Sequence, residues 1–240
     1  MAARSADRMT QFARSFSAVD KALIVPCDVT LHEDRECLIQ TAVKKFGGID
    51  ILINNAGIAS WGHFAGSDEA VVREIMEVNF FAPIELIRLA IPHLAIGNEP
   101  VIVNVSSMCG RRAMPAWPEY SASKFALCGI SEALRAEMVR FGIDVVLVVP
   151  GMTRSRLREN MLRNEGKAKI DFDAGMTPEH VASTIVKGIS KSKRELVIGK
   201  DARRMLFMHR WFPRLLDWLI CQNVKKLYAR KQSETQAIGK

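Results

Sequence analysis

Tyr120 and Lys124 stand four residues apart in the run Tyr120-Ser121-Ala122-Ser123-Lys124, and Ser107 lies thirteen residues upstream of the tyrosine. On a helix, residues at i and i+4 share a face, so this spacing sets an ammonium one turn from a phenol. The phenol's ordinary pKa is about 10, and a neighbouring positive charge favours its ionised form. The expectation is a tyrosine that exchanges a proton near neutral pH. Ser107 follows Val101-Ile102-Val103-Asn104-Val105, an apolar run that reads as a buried strand. Its hydroxyl is therefore expected at a strand's carboxyl end, where open α/β sheets bind ligands. The three residues form a candidate proton-handling site for a carbonyl or an alcohol.

The elements that must position them alternate between strand-like and helical patterns. Strands are expected over 22–27, where Pro26 restricts the end, and over 49–53, 101–106, 145–149 and 196–198. Helices are expected over 33–46, stopped by Gly47-Gly48, and over 67–94 with Ser67 as cap. Two more are expected over 118–141, carrying Tyr120 and Lys124, and from Pro178, whose proline suits the first helical position. Continuous apolar strands separated by helices imply a parallel sheet covered on both faces. No internal repeat or low-complexity linker interrupts the pattern.

At 240 residues, with 48% hydrophobic and 25% charged residues, the chain suits one large α/β domain rather than a disordered one. Five scattered cysteines (27, 37, 109, 128 and 221) contain no Cys-x-x-Cys pair. Neither a disulfide framework nor a zinc site is indicated, and a reducing, cytoplasmic setting is expected. The five histidines show no ligand spacing, so no metal is expected. The net charge of +8 is concentrated at the end: residues 191–240 hold thirteen Lys and Arg against four Asp and Glu. The rest of the chain is close to neutral, which argues against a nucleic-acid partner.

The order of motifs resembles the short-chain dehydrogenase/reductase family over roughly residues 1–200. The resemblance rests on Asn54-Asn55-Ala56-Gly57 after a strand, Asn79 in the next helix, Ser107, Tyr120-x-x-x-Lys124 and Pro150-Gly151-x-Thr153. It implies a three-layer, doubly wound, Rossmann-like parallel sheet and NAD(P)-dependent interconversion of an alcohol with a ketone or aldehyde. The nearest subgroup acts on lipophilic substrates. On this resemblance Tyr120 is the general acid in reduction and the base in oxidation. Lys124 lowers its pKa and holds the nicotinamide ribose, Ser107 orients the substrate oxygen, and Asn79 anchors a water linked to Lys124. Asn54, Ala56 and Gly57 line the adenosine ribose, Asp28 and Val29 contact adenine, and Pro150, Gly151 and Thr153 face the nicotinamide. Arg4 resembles the arginine that recognises the 2′-phosphate, which favours NADP, with NAD the alternative. Homo-oligomers are expected through the long helices around Asn79 and Tyr120. For Asp28 a plain capping role stays open beside the adenine contact, and Cys109 reads as a packed thiol.

The family's opening strand, glycine-rich phosphate turn and helix have no counterpart upstream of Ala22, and the first glycine is Gly47. The expectation is an N-terminally truncated fold with a mid-sheet gap, whose edges leave backbone groups unpaired. Three readings stay open: a start placed too far downstream, a non-catalytic binding or regulatory protein that has lost its dinucleotide site, and an enzyme whose sheet another chain repairs. The chain as given is expected to bind NADP(H) weakly or not at all. Residues 201–240 form a second segment, a basic amphipathic tail in which Met205-Leu206-Phe207-Met208, Trp211-Phe212 and Trp218-Leu219-Ile220 are interleaved with arginines. It is expected either to lie on a membrane surface or to pack over the site as a lid. Substrate choice in the family belongs to the segment after Thr153, here 154–176, which is unreadable from one sequence.

Overall fold

A computed structural model of the protein describes residues 1–15, 21–168 and 170–238. Its centre is a parallel sheet of four strands in the order β3 (Ile51–Asn54), β5 (Val101–Val105), β6 (Asp144–Pro150) and β8 (Glu195–Ile198). β5 and β6 are buried almost along their whole length, as a strand covered on both faces must be. One face packs on α2 (His32–Phe46) and α4 (Ala82–Leu94), where Ile39, Leu86, Ile87, Ala90 and Leu94 meet Ile102 and Val145. Val101, Val103, Val146 and Val148 face α6 (Pro178–Ile189) through Val181 and Ile185. Thr177 caps α6 by accepting from the His180 N–H at 3.2 Å, with proline at the first helical position.

The remaining strands lie outside that sheet. β1 (Ala2–Ala3) pairs in parallel with β2 (Val25–Pro26), and α1 (Ala6–Ser15) lies between them in the chain. Neither β1 nor β2 hydrogen-bonds to β3. The outer side of β3 is open, and Ile51 and Ile53 are about half exposed at 46% and 48%. The interruption expected in mid-sheet is thus present among the described residues, between the β1–β2 pair and the four-stranded sheet. A third parallel pair, β4 (Ala59–Trp61) with β7 (Met161–Asn164), was not expected from the sequence.

Two expectations about the helix over 67–94 need correction. Asp68, not Ser67, caps it: the Asp68 carboxylate accepts from the Val71 N–H at 2.9 Å. The helix is also not continuous in kind, because α3 (Glu69–Met76) passes into α4 through a π-helical stretch over Glu77–Phe81. Such widened turns insert a residue and re-aim a side chain, here Asn79, into the interior. α5 (Pro118–Glu137) carries Tyr120 and Lys124, and the chain ends in α7 (Lys200–Trp211) and α8 (Pro213–Ile238). Residues 239–240 of the expected tail lie outside the described residues.

Candidate active site

Ser107 sits just past β5, and the turn after it begins with the Cys109 N–H donating to Ser107 Oγ at 3.1 Å. Ser106, one residue earlier, is spent on structure: its hydroxyl donates to the Lys124 carbonyl at 3.1 Å and lies 3.2 Å from Cys128 Sγ. This places Ser107, half-buried at the cavity wall, as the hydroxyl that faces the site. Gly110 lets the turn approach α5 closely, since a Cβ there would lie 2.4 Å from Ser106 Oγ and 2.7 Å from the Lys124 carbonyl.

Tyr120 is buried in an apolar cluster with Ala59 and Cys109, bordered by Met108, Met114, Trp117, Leu157 and Met161. Lys124 lies one turn on, its Nζ 5.9 Å from the centre of the Tyr120 ring and donating to the Val105 carbonyl at 3.0 Å. Burial dominates the electrostatics of both groups. It holds the Tyr120 phenol above its ordinary value, reinforced by Cys109 and opposed by a hydrogen bond with Ser107. It pulls the Lys124 ammonium down to about 8. The lowering of Tyr120 by Lys124 that the resemblance implies is not among the influences on the phenol here, where desolvation leads. Burial likewise pushes the Cys109 thiol up to about 11, the state of a packed thiol rather than a nucleophile.

Asn79 is completely buried behind the cavity wall rather than in it. Its Oδ1 accepts from the Ile58 N–H at 2.9 Å, and its Nδ2 donates to the Ile58 carbonyl at 2.9 Å and to Ser123 Oγ at 3.0 Å. Ser123 in turn donates to the Tyr120 carbonyl at 2.8 Å. The amide therefore ties the chain leading into β4 to the turn of α5 that holds Tyr120. Gly57 sits between the two polar groups: a Cβ there would come 3.2 Å from Asn79 Oδ1 and 3.5 Å from Lys124 Nζ.

A cavity of about 2290 Å³ gathers the other expected residues, Arg4, Asp28 and Val29 together with Tyr120 and Ser107. Asn54, Ala56, Gly57, Lys124, Pro150, Gly151 and Thr153 line it as well. Asn54 is also structural, its Nδ2 donating to Asn104 Oδ1 at 2.9 Å across β3 and β5. Asp28 accepts from the Thr30 N–H and hydroxyl at 3.0 and 2.7 Å, so it does close a turn. Those bonds, aided by Arg4, hold its carboxyl below the usual range. Thr153 donates to the Gly151 carbonyl at 3.1 Å and bridges to Met176.

Sequence reasoning missed the wall opposite the tyrosine. Trp61 and Trp117 stack with centroids 6.1 Å apart, Phe172 packs edge-on to Trp61 at 5.9 Å, and Trp117 meets Tyr120 at 5.7 Å. Two tryptophans flanking the motif residues were the available signal, but no period links them. It also missed Arg163 on β7, which donates to the His63 carbonyl at 3.2 Å and pairs with Glu165. Its guanidinium lies 3.9 Å from the carboxylate of Glu119, the residue before the tyrosine, and both side chains are nearly inaccessible. The tail closes the same space: Ile220, Asn223, Val224, Leu227 and Tyr228 of α8 line the cavity. The Tyr228 ring packs on His63 at 5.1 Å, and Lys167 Nζ sits 4.4 Å above it.

The sequence is 31% identical over 210 residues to a dehydrogenase/reductase SDR family protein 7-like of Anopheles gambiae, covering 85% of this chain and 66% of that one. It is 34% identical to the dehydrogenase/reductase SDR family member 7B of Xenopus laevis, covering 78% and 61%. The chain thus spans less than two thirds of the length of these relatives. Among solved structures, a short-chain dehydrogenase from Streptomyces avermitilis superposes with a TM-score of 0.78 at 25% identity, covering 94% of this chain and 86% of that one. The family model for short chain dehydrogenase matches residues 1–166, and with the Ser107, Tyr120 and Lys124 geometry above, the chain belongs to the short-chain dehydrogenase family.

Proposed function

We propose that the site interconverts a lipophilic alcohol with its ketone or aldehyde, using a nicotinamide dinucleotide, with NADP favoured over NAD. The observation that carries this reading is a buried phenol, a hydroxyl and a buried lysine converging on one cavity whose far wall is aromatic and apolar. The residues present fit the two ends of such a cofactor. Gly57, Lys124, Pro150, Gly151 and Thr153 would hold its nicotinamide riboside, and Asp28, Val29 and Arg4 its adenosine end with a 2′-phosphate. The two lining glycines, Gly57 and Gly151, do not lead into a helix N-terminus, so among the described residues no such turn meets the linking diphosphate. When bound, the nicotinamide supplies or accepts the hydride.

The chain's own residues do the rest. Trp61, Trp117 and Phe172 exclude water and lay the apolar body of the substrate against Tyr120. Ser107 Oγ donates to the carbonyl oxygen, and the Tyr120 hydroxyl, held protonated by burial, gives its proton to the same oxygen. A charged Lys124 stabilises the phenolate that remains. Self-association is proposed through the long helices around Asn79 and Tyr120, which leave Phe81 and Phe125 exposed.

A second reading is favoured by the open outer side of β3: a protein that binds lipophilic ligands in this cavity without hydride transfer. Following NADPH absorbance with a panel of lipophilic ketones and aldehydes separates the two. The oxidoreductase reading requires carbonyl-dependent loss of NADPH. The binding reading predicts quenching of Trp61 and Trp117 emission by the same compounds with no NADPH consumed.

A further inference from the structure

The corner joining α7 to α8 presents Phe207, Trp211, Phe212, Leu215, Trp218 and Leu219, all at least 39% exposed. Phe207 and Trp211 share a face of α7, and Leu215, Trp218 and Leu219 lie together on α8 at three- and four-residue intervals. Phe207 and Phe212 pack with centroids 6.3 Å apart, so the surface is continuous around the bend. Soluble proteins seldom leave so many large apolar side chains together without an occupant.

The charge around this surface selects the occupant. Residues 201–226 contain six Lys and Arg against two Asp. Both aspartates are engaged by the domain: Asp201 accepts from the Met152 N–H at 2.7 Å, and Asp217 pairs with Arg112. Arg210 leans over the Trp211 ring at 5.9 Å, while Arg204 and Arg214 are exposed and in no ion pair among the described residues. A second copy of the chain seated on this corner would bring these arginines against their own counterparts. No described helix is long and apolar enough to cross a membrane. Aromatic and aliphatic side chains ringed by arginine suit the boundary between acyl chains and anionic headgroups.

We infer that the α7–α8 corner docks the protein on an anionic phospholipid surface. Leu216, buried at 7%, and the Arg112–Asp217 pair fix the corner to the domain. From Ile220 onward the same helix becomes the cavity wall, and Tyr228 reaches His63. Docking therefore holds the cavity wall at the bilayer surface, within reach of ligands dissolved in it. The inference stands whether or not the site transfers hydride.

The test is sedimentation of the full chain with phosphatidylcholine vesicles, with and without phosphatidylserine, at low and high salt. The expected result is binding to the phosphatidylserine vesicles that weakens in salt and falls roughly a hundredfold in Arg204→Glu/Arg210→Glu/Arg214→Glu. Brominated phosphatidylcholine mixed with phosphatidylserine should quench the tryptophan emission of the unaltered chain. Trp211→Phe/Trp218→Phe should lose most of that quenching, because Trp61 and Trp117 line the cavity rather than the corner. The inference is overturned by absence of sedimentation at low salt, by equal binding of the charge-reversed chain, or by quenching that persists undiminished without Trp211 and Trp218. Lipid-free self-association abolished by the same substitutions would assign the surface to a second copy instead.

Discussion

Lys124 is the residue on which stability and chemistry pull in opposite directions. Its ammonium is buried with one protein acceptor, the Val105 carbonyl, and its folded pKa of about 8 lies below the unfolded value near 10.5. A depressed lysine means that between those values the unfolded chain binds more protons, so this group's contribution makes stability rise with pH from 8 to 10.5. Below pH 8 the full penalty is present in the folded chain. Lys124→Met is therefore expected to be more stable by on the order of 1–3 kcal/mol at pH 6.5, a gain that shrinks as pH climbs towards 10. Urea denaturation across that range measures it. Cys109 and Tyr120 are raised acids and act in the opposite sense at high pH, lowering stability once the unfolded thiol and phenol ionise. The comparison must accordingly be between variant and parent at each pH. Activity follows the same group: carbonyl reduction should decline above pH 8 as the ammonium that stabilises the phenolate is lost.

At the scale of elements, the site is held by polar pins rather than by hydrophobic packing alone. Asn79 satisfies both backbone groups of Ile58 and reaches Ser123, so Asn79→Ala strands a buried N–H and a buried carbonyl. A loss of about 2–4 kcal/mol in chemical denaturation is expected, with Asn79→Asp recovering only the bond from the Ile58 N–H. Arg163 pins the β4–β7 pair to the start of α5. The Glu119 carboxylate it faces accepts no hydrogen bond among the described residues. Arg163→Leu should destabilise by about 3–5 kcal/mol, and Glu119→Gln added to it should restore much of that loss, since the uncompensated charge is what destabilises. The two cases differ in how they were legible. The four strands of the central sheet, the helix of Tyr120 and the positions of Ser107, Lys124 and Thr153 followed from apolar runs and motif order, which are local signals. The π-helical turn at Asn79 was not, because one inserted residue leaves no mark in a helical pattern. The β4–β7 pair was hidden by separation: its strands are three and four residues long and about a hundred residues apart in the chain. Asp68 displaced Ser67 as cap because either residue suits the position and only geometry decides between them.

At the scale of the whole molecule, one cavity runs from Arg4 to Tyr228, several times larger than a typical ligand pocket. It extends over the open outer side of β3, where Ile53 faces it, and reaches β1 and β2 on the other side. The composition of the tail gave its apolar and basic character but not its two roles, since the inner and outer faces of α8 are told apart only once the domain is folded. A dinucleotide held at its two ends and not at its diphosphate should bind weakly. Thermal unfolding should therefore shift little at micromolar NADPH and measurably only at millimolar NADPH, as mass action requires. Under those millimolar conditions the central claim, that Tyr120, Ser107 and Lys124 form a hydride-transfer enzyme's proton-handling site, is tested by carbonyl-dependent oxidation of NADPH over the lipophilic panel. Turnover by the unaltered chain is expected, with a loss of roughly 10²- to 10⁴-fold in Tyr120→Phe and ligand binding retained. No NADPH oxidation with any carbonyl, from a folded chain that binds the same compounds equally well with Tyr or Phe at position 120, would contradict it.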